Sequence, residues 1–235
     1  VKGGDIMKYS PLGIKSEYTL LTSLIKINDL INFAKQNNIT ALGLLDNNLN
    51  GVMEFFDSCV ANDIKPIIGL NVRINDSNYY LYAKNYQGYL ELVKINNKVV
   101  LEESVSLSDL RISDIYVVIP YEFKGNYEEL KTIKNINDIY IAYANLEEKK
   151  NLIFVTSNIL FIKEIRCFKA NDTVYLEYLK KIGNNDFETF NTAYENENLT
   201  TDDIERLNKF IDTIEIKIDK TKRYIPVFNK DINSK

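Results

Sequence analysis

The first absence in this sequence is histidine, of which there is none. Histidine is the commonest imidazole metal ligand and the usual general base near neutral pH. Its absence excludes Ser-His and Cys-His nucleophilic catalysis, and every zinc site that needs an imidazole. A site built from oxygen ligands alone, of the kind that suits Mg²⁺ or Ca²⁺, stays open.

Cysteine and long apolar runs are also scarce. The two cysteines, Cys59 and Cys167, form no Cys-x-x-Cys pair, which favours a reduced, cytoplasmic protein. Cys59 falls on the apolar side of a predicted helix, so we expect it to pack in the core. No run approaches the roughly 20 apolar residues that a membrane span requires, and no signal peptide is visible. We therefore expect no membrane partner.

An excess of basic charge is missing too. Lysine and arginine number 29 against 33 aspartates and glutamates, and the formal net charge is -4. Release of counterions from DNA, which drives non-specific binding, needs basic surface. We expect no direct DNA binding by this domain on its own. Neither Gly-x-Gly-x-x-Gly nor a P-loop is present, which argues against a nucleotide-binding doubly wound fold.

What the sequence does contain is a regular alternation of strand and helix patterns, about seven times over. Such alternation predicts a mainly parallel sheet, and the length suits one α/β barrel domain. The predicted strands cover residues 8–14, 40–45, 65–74, 79–83, 115–119, 139–144 and 152–156. The predicted helices cover residues 28–37 with Asn28 as N-cap, 52–62, 88–99, 127–136, 172–181, and a last long helix through Ile218 that Thr200 and Asp203 begin.

One motif organises the chain, the segment Pro-Leu-Gly-Ile-Lys-Ser-Glu-Tyr-Thr-Leu-Leu at residues 11–21. It resembles the first-strand motif His-x-His-Ser-Glu/Asp-Tyr-Ser of the PHP (polymerase and histidinol phosphatase) domain in alpha subunits of bacterial DNA polymerase III. Gly13 and Lys15 stand where that motif has its histidines, whereas Glu17 keeps the pattern. The frame of a metal site is present without its imidazoles.

Further segments resemble the same family in order and spacing. Residues 41–69 are similar to its second motif, in which Asp46 matches an aspartate and Asn47 stands at a histidine. Asn71 stands where the family carries a metal-binding glutamate. Later motifs place the remaining positions at Asn158 (family Asp), Leu160 (His), Asn171 (His) and Asp172 (Glu). Residues 224–228, Tyr-Ile-Pro-Val-Phe, are similar to the segment that leads into the polymerase palm.

The resemblance implies a fold, a distorted (β/α)₇ barrel of PHP type that is TIM-like, over residues 7–235. We interpret residues 1–6, which precede Met7, as a tag remnant. Glu17, Asp46, Asn71, Leu160 and Asn171 are expected to gather at one barrel mouth. The predicted vestigial cleft, with no catalytic residue, metal or cofactor, consists of Gly13, Lys15, Glu17, Asp46, Asn47, Asn71, Asn158, Leu160, Asn171 and Asp172.

Lys15 leaves two interpretations open. Its ammonium replaces the lost metal charge and pairs with Glu17, Asp46 or both, or the side chain extends to the rim of the barrel and into solvent.

Three functions remain open from the sequence. The resemblance favours a non-catalytic module of a replicative DNA polymerase III alpha subunit, which docks on the polymerase body of its own chain and, in some members, on a proofreading exonuclease subunit. The parent chain would then be a nucleotidyltransferase. The alternative is a metal-dependent phosphoesterase, of histidinol phosphatase or 3′–5′ exonuclease type, that uses Glu17, Asp46 and Asp172. A free-standing protein-binding domain is the third.

Overall fold

Six strands form the sheet in the computed structural model, which describes residues 9–122, 125–154, 156–194 and 199–218. Their order across the sheet follows the sequence. The strands are β1 Ala41–Leu44, β2 Lys65–Ile74, β3 Ser77–Ala83, β4 Ile115–Ile119, β5 Ile139–Tyr143 and β6 Ile159–Phe161. Five of the seven predicted strands are therefore found close to their expected bounds.

The sheet is mixed, which corrects the expectation of a mainly parallel one. β1 pairs with β2 in parallel, as do β4 with β5 and β5 with β6. β3 runs antiparallel to both of its neighbours. The reason is the short connection at Asn75 and Asp76, which makes a hairpin and leaves no room for the helical crossover that parallel strands require. Asn75 has a φ of 53°, a conformation that asparagine tolerates well.

Seven helices lie within the described residues. They are α1 Ile27–Gln36, α2 Val52–Val60, α3 Tyr86–Val100, α4 Tyr127–Ile133, α5 Leu146–Leu152, α6 Thr173–Gly183 and α7 Thr201–Asp212. The capping box of Thr200 and Asp203 at α7 is confirmed. The predicted Asn28 cap is wrong, because α1 begins after Lys26 and has no side-chain cap. α7 also ends before Ile214 and Ile218.

Two predicted strands are wrong. In residues 152–156, Leu152 ends α5 and Phe154 is 91% exposed, because Asn145 caps a helix over the preceding turn. In residues 8–14 the described part is not a strand, although Ile14 forms single parallel bridges with Leu44 and with Ile165.

The segment around Ile14 joins the two outer sides of the sheet. On one side, Ile14 N–H donates to the Gly43 carbonyl at 3.1 Å, and on the other, Lys15 N–H donates to the Ile165 carbonyl at 2.9 Å. The approach to β1 is close, since a Cβ added to Gly43 would lie 2.6 Å from Leu12 Cα. The result is a curled, six-stranded α/β fold whose open side is occupied by the segment that carries Lys15.

A search of the described helices finds none with the length and apolarity to cross a membrane.

Candidate functional site

The candidate site lies where the carboxyl ends of β1 and β6 meet the Ile14 segment. We call Lys15, Asp46, Asn47, Asn71 and Glu164 the mouth cluster. Asp46 and Asn47 follow β1, Asn71 lies in β2, and Glu164 follows β6. Asn47, Asn71 and Glu164 also line a cleft of about 1000 Å³. Polar groups from four separated stretches of chain therefore meet at one edge of the sheet.

Lys15 is fully buried, with 0% of its side chain exposed. Its Nζ donates to Asn47 Oδ1 at 3.0 Å and lies 3.6 Å from Glu164 Oε1. The cationic side chain therefore points into the site, and the interpretation in which it extends to the rim is wrong. Its ion-pair partner is Glu164 and not Glu17.

Glu164 is held by more than Lys15. Arg166 Nη2 donates to Glu164 Oε2 at 2.6 Å, and the Tyr80 hydroxyl donates to Oε1 at 3.4 Å. Burial by itself raises the pKa of Glu164, but the charges of Lys15 and Arg166 outweigh it and lower the pKa. For Lys15 burial is the larger effect: it lowers the pKa, and the attraction of Glu164 and Asp46 opposes it only in part. The Glu164 carboxylate is thus the anionic partner that Lys15 and Arg166 share.

Asp46 is also fully buried, and the loop after Lys15 occupies its oxygens. Ser16 donates to it through the backbone N–H at 2.7 Å and through Oγ at 2.5 Å. Thr19 Oγ1 donates to Oδ1 at 2.6 Å. Three donors satisfy much of the acceptor capacity of a carboxylate. Asp46 therefore fixes the first-motif loop by hydrogen bonds.

Two asparagines complete the mouth cluster. Asn47 Oδ1 accepts from Lys15 and also from Asn71 Nδ2, the latter at 3.1 Å. Asn71 Oδ1 is buried and accepts no hydrogen bond from any described residue. A neutral amide pair thus stands where the family motif carries a histidine and a glutamate.

The other predicted site residues lie elsewhere. Glu17 is exposed, and Leu160 is buried in the hydrophobic core. Asn158 Nδ2 binds the Ile136 carbonyl at 3.2 Å, which is a tie between loops. Asn171 and Asp172 form a 3₁₀ turn ahead of α6 and make no described contact with the mouth cluster.

Gly13 has a steric role. A Cβ at this position would lie 2.3 Å from the Lys163 carbonyl oxygen and 2.9 Å from its carbon. No side chain can be added there without moving the backbone, so the first histidine of the family motif does not fit in this packing.

The donor set does not fit the metal centre that the PHP resemblance implies. Among the described residues, no three cysteine, aspartate or glutamate side chains are grouped so that they could hold a metal ion. The Lys15 ammonium already donates into the mouth cluster, and the oxygens of Asp46 are taken by Ser16 and Thr19. A cation entering here would meet a buried like charge and few available ligands.

Sequence reasoning missed Glu164, Arg166 and Tyr80. A signal was present: residues 159–167 are apolar apart from Lys163, Glu164 and Arg166. Charges that interrupt an apolar run next to a strand are buried more often with a partner than alone. The spacing of residues in the sequence did not indicate that Lys15 is the partner of Glu164.

Comparison with known proteins gives a consistent result. The model of the family described as "PHP domain" matches residues 12–188. The DNA polymerase III subunit alpha of Ureaplasma parvum serovar 3 is 31% identical over 93% of this chain and 22% of its own length. The same subunit of Mycoplasma genitalium is 30% identical over 69% of this chain and 19% of its own. That of Staphylococcus aureus strain COL is 29% identical over 57% and 14%.

A solved structure from Bifidobacterium adolescentis, named as a candidate metal-dependent phosphoesterase, has a TM-score of 0.46 and 7% identity. It covers 67% of this chain and 88% of that one. This likeness is too low to support an argument. The chain spans 14% to 22% of the length of these three alpha subunits.

Proposed function

The chain belongs to the PHP domain family, and we propose that it serves as a metal-free structural and docking module of a replicative DNA polymerase III alpha subunit. Its curated relatives carry that name and are several times longer than the matched part. On this proposal the polymerase body of the same chain is the first partner, and nucleotidyl transfer takes place outside this domain. A separate proofreading exonuclease is a further candidate partner.

The observation that supports the metal-free role most is the buried ammonium of Lys15. Two unit charges of the same sign 4 Å apart repel by about 4 kcal/mol at an effective dielectric constant near 20. A divalent cation doubles that repulsion. Metal-dependent phosphoester hydrolysis needs ligands that hold cations close together and lower the pKa of a bound water. The mouth cluster offers an internal cation and two amides, and its two carboxylates already bind Ser16 and Thr19 or the cations Lys15 and Arg166.

What this arrangement does supply is a fixed geometry. Lys15 connects the Ile14 segment to Asn47 after β1 and to Glu164 after β6. Asp46 holds the following loop through Ser16 and Thr19. The network thus holds the two outer sides of the sheet together at the mouth, which a docking surface requires.

The phosphoesterase alternative requires Glu17, Asp46 and Asp172 to share a cation. Glu17 is exposed, and Asp172 belongs to a 3₁₀ turn with no described contact to Asp46. The placement of these carboxylates therefore favours the structural role.

The test is elemental analysis of the purified protein, together with hydrolysis of a generic phosphoester under added Mn²⁺ and Zn²⁺. We expect no stoichiometric metal and no turnover above that of an Asp46→Ala variant. Stoichiometric metal, or turnover that Asp46→Ala abolishes, would overturn the metal-free role and favour the phosphoesterase. Asp76→Ala, which changes an exposed carboxylate on the hairpin, is the matched control.

A further inference from the structure

The cleft beside the mouth cluster has a wall that neither metal chemistry nor the polar network explains. It is formed by the loop after β4, the start of α5 and the loop after α6. Six acidic and three basic side chains are among the described residues that line the whole cleft, and the wall itself contributes four of the acidic ones, Glu122, Glu148, Asp186 and Glu188, and none of the basic ones. Its surface is therefore acidic, although the residues expected to bind metal are mostly neutral.

Several of these acidic groups have no cationic partner within the part of the chain that the structure describes. Glu122, Glu148 and Glu188 form no salt bridge with any described residue. Glu148 accepts only from the Ala144 N–H and Asn145 Nδ2, and Glu188 only from the Phe190 N–H. Acidic groups without cations attract a positively charged partner and repel a polyanion. Charge complementarity thus favours a basic occupant and disfavours DNA.

The same wall exposes aromatic rings. Phe190 lines the cleft with 79% of its surface exposed, and Tyr121 lines it with 37% exposed. Phe187 is already covered, since the Arg166 guanidinium lies 4.6 Å from its ring centre. An exposed phenylalanine beside uncompensated carboxylates can take both an apolar anchor and a cation over its ring face.

The helix α6, which holds the loop that carries this wall, also exposes apolar residues. Thr189 binds Glu177 of α6 through a side-chain hydrogen bond, and Lys180 Nζ donates to the Phe187 carbonyl at 2.8 Å. Residues spaced by four on α6 then face outward. Val174, Tyr178 and Ile182 are exposed by 49%, 57% and 72%. Exposed apolar residues grouped on one face of a helix are typical of protein interaction sites.

From these observations we infer that the cleft binds a basic segment of a partner protein, whose apolar side chain packs on Phe190 and whose adjoining surface covers α6. This inference rests on the proposed docking role and specifies its chemistry. The occupant is a protein segment and not a nucleic acid, because the wall offers acidic and aromatic groups together. The partner's cations would pair with Glu122, Glu148 and Glu188.

The probe is a fluorescent peptide of lysine, arginine and phenylalanine residues, titrated by anisotropy at low and moderate salt. We expect saturable, salt-sensitive binding. Glu122→Gln with Glu188→Gln should weaken it about fivefold, the effect of losing two rim charges. The matched control, Glu103→Gln with Glu205→Gln, makes the same change in net charge on exposed residues outside the cleft and should leave binding within about twofold.

The apolar anchor is tested separately. Phe190→Ser should weaken binding about tenfold, whereas Phe154→Ser, which removes a ring that is 91% exposed and lies outside the cleft, should not. Equal losses in cleft and control variants, no saturable binding, or tighter binding of single-stranded DNA than of the peptide would each overturn the inference. Metal content and hydrolysis report on the proposed function independently of these results.

Discussion

Replacing Glu164 with glutamine should leave two buried cations facing one another. Lys15 is 0% and Arg166 is 7% exposed, and the Glu164 carboxylate lies between them. Glutamine keeps the shape and one acceptor oxygen but removes the negative charge. Removing one partner of a buried ion pair costs about 3–5 kcal/mol. Since Glu164 is 25% exposed, we expect the lower end, about 3 kcal/mol.

A loss of that size is readily measured. Urea unfolding followed by tyrosine fluorescence or circular dichroism gives the free energy of unfolding. For a chain of this length the expected fall in Tm is about 6–12 °C. The control is Glu128→Gln, which removes a carboxylate that is 77% exposed and pairs with Lys131 on the surface of α4, and it should cost under about 0.5 kcal/mol.

The sharper expectation is a rescue. Adding Lys15→Met to Glu164→Gln removes one of the two facing cations, so the double variant should be more stable than Glu164→Gln alone.

The pH dependence of the stability of Glu164→Gln has a defined sign as well. Without Glu164 the pKa of Lys15 in the folded state falls further below its usual value. At pH values between that lowered pKa and about 10.4, the unfolded chain then binds more protons than the folded chain.

The stability of Glu164→Gln should therefore rise with pH across that window, and the double variant should lack the rise. If Glu164→Gln stays within about 1 kcal/mol of the wild type, or if the second substitution destabilises it further, the assigned interdependence of these charges is incorrect.

Three other predictions concern the rest of the domain. Asp203→Asn should destabilise the domain by about 3 kcal/mol at neutral pH, because the carboxylate is buried with Lys149 and Tyr143. The pKa of Asp203 is lowered in the folded state, so this stabilisation is lost as the pH falls through that folded-state pKa. The wild type and the variant should therefore converge in stability when urea unfolding is measured at acid pH. Gly13→Ala should cost about 1–3 kcal/mol in the same assay through overlap with the Lys163 carbonyl, and a cost near zero would mean that the backbone there relaxes freely. Primed and single-stranded DNA should show no tight binding to this domain at moderate salt, since the net charge is -4, and tight, weakly salt-dependent binding would contradict this.

The sequence predicted most of the sheet because β1, β4 and β5 consist of apolar and aromatic residues and β2 has an apolar centre. β2 and β4 have the predicted bounds, and β1 lies within them. The same rule failed at residues 152–156, where a continuous apolar run ends a helix that Asn145 begins. A short apolar run does not show by itself whether it is buried, and here Ile153 and Phe154 are exposed just beyond the end of α5.

The site was predictable only as far as the family motif extends. Asp46, Asn47 and Asn71 lie together because motif positions at neighbouring strand ends meet in space. Glu164 has no place in the motif, so its pairing with Lys15 could not be found from spacing. That pairing depends on which buried charges the completed fold brings within reach, and pairs distant in the chain leave no local pattern.

The buried Lys15 network has a consequence for how such a domain can change over generations. Metal binding would require the Lys15 ammonium to leave, and a histidine in its place would supply one ligand beside neutral amides and an Asp46 whose oxygens are already occupied. A histidine at position 13 would first collide with the Lys163 carbonyl. A histidine at position 160 would place an imidazole in the apolar core where Leu160 now packs. If the proposed metal-free role is correct, each of these steps would lower stability without completing a ligand set, so the absence of a metal site would be hard to reverse.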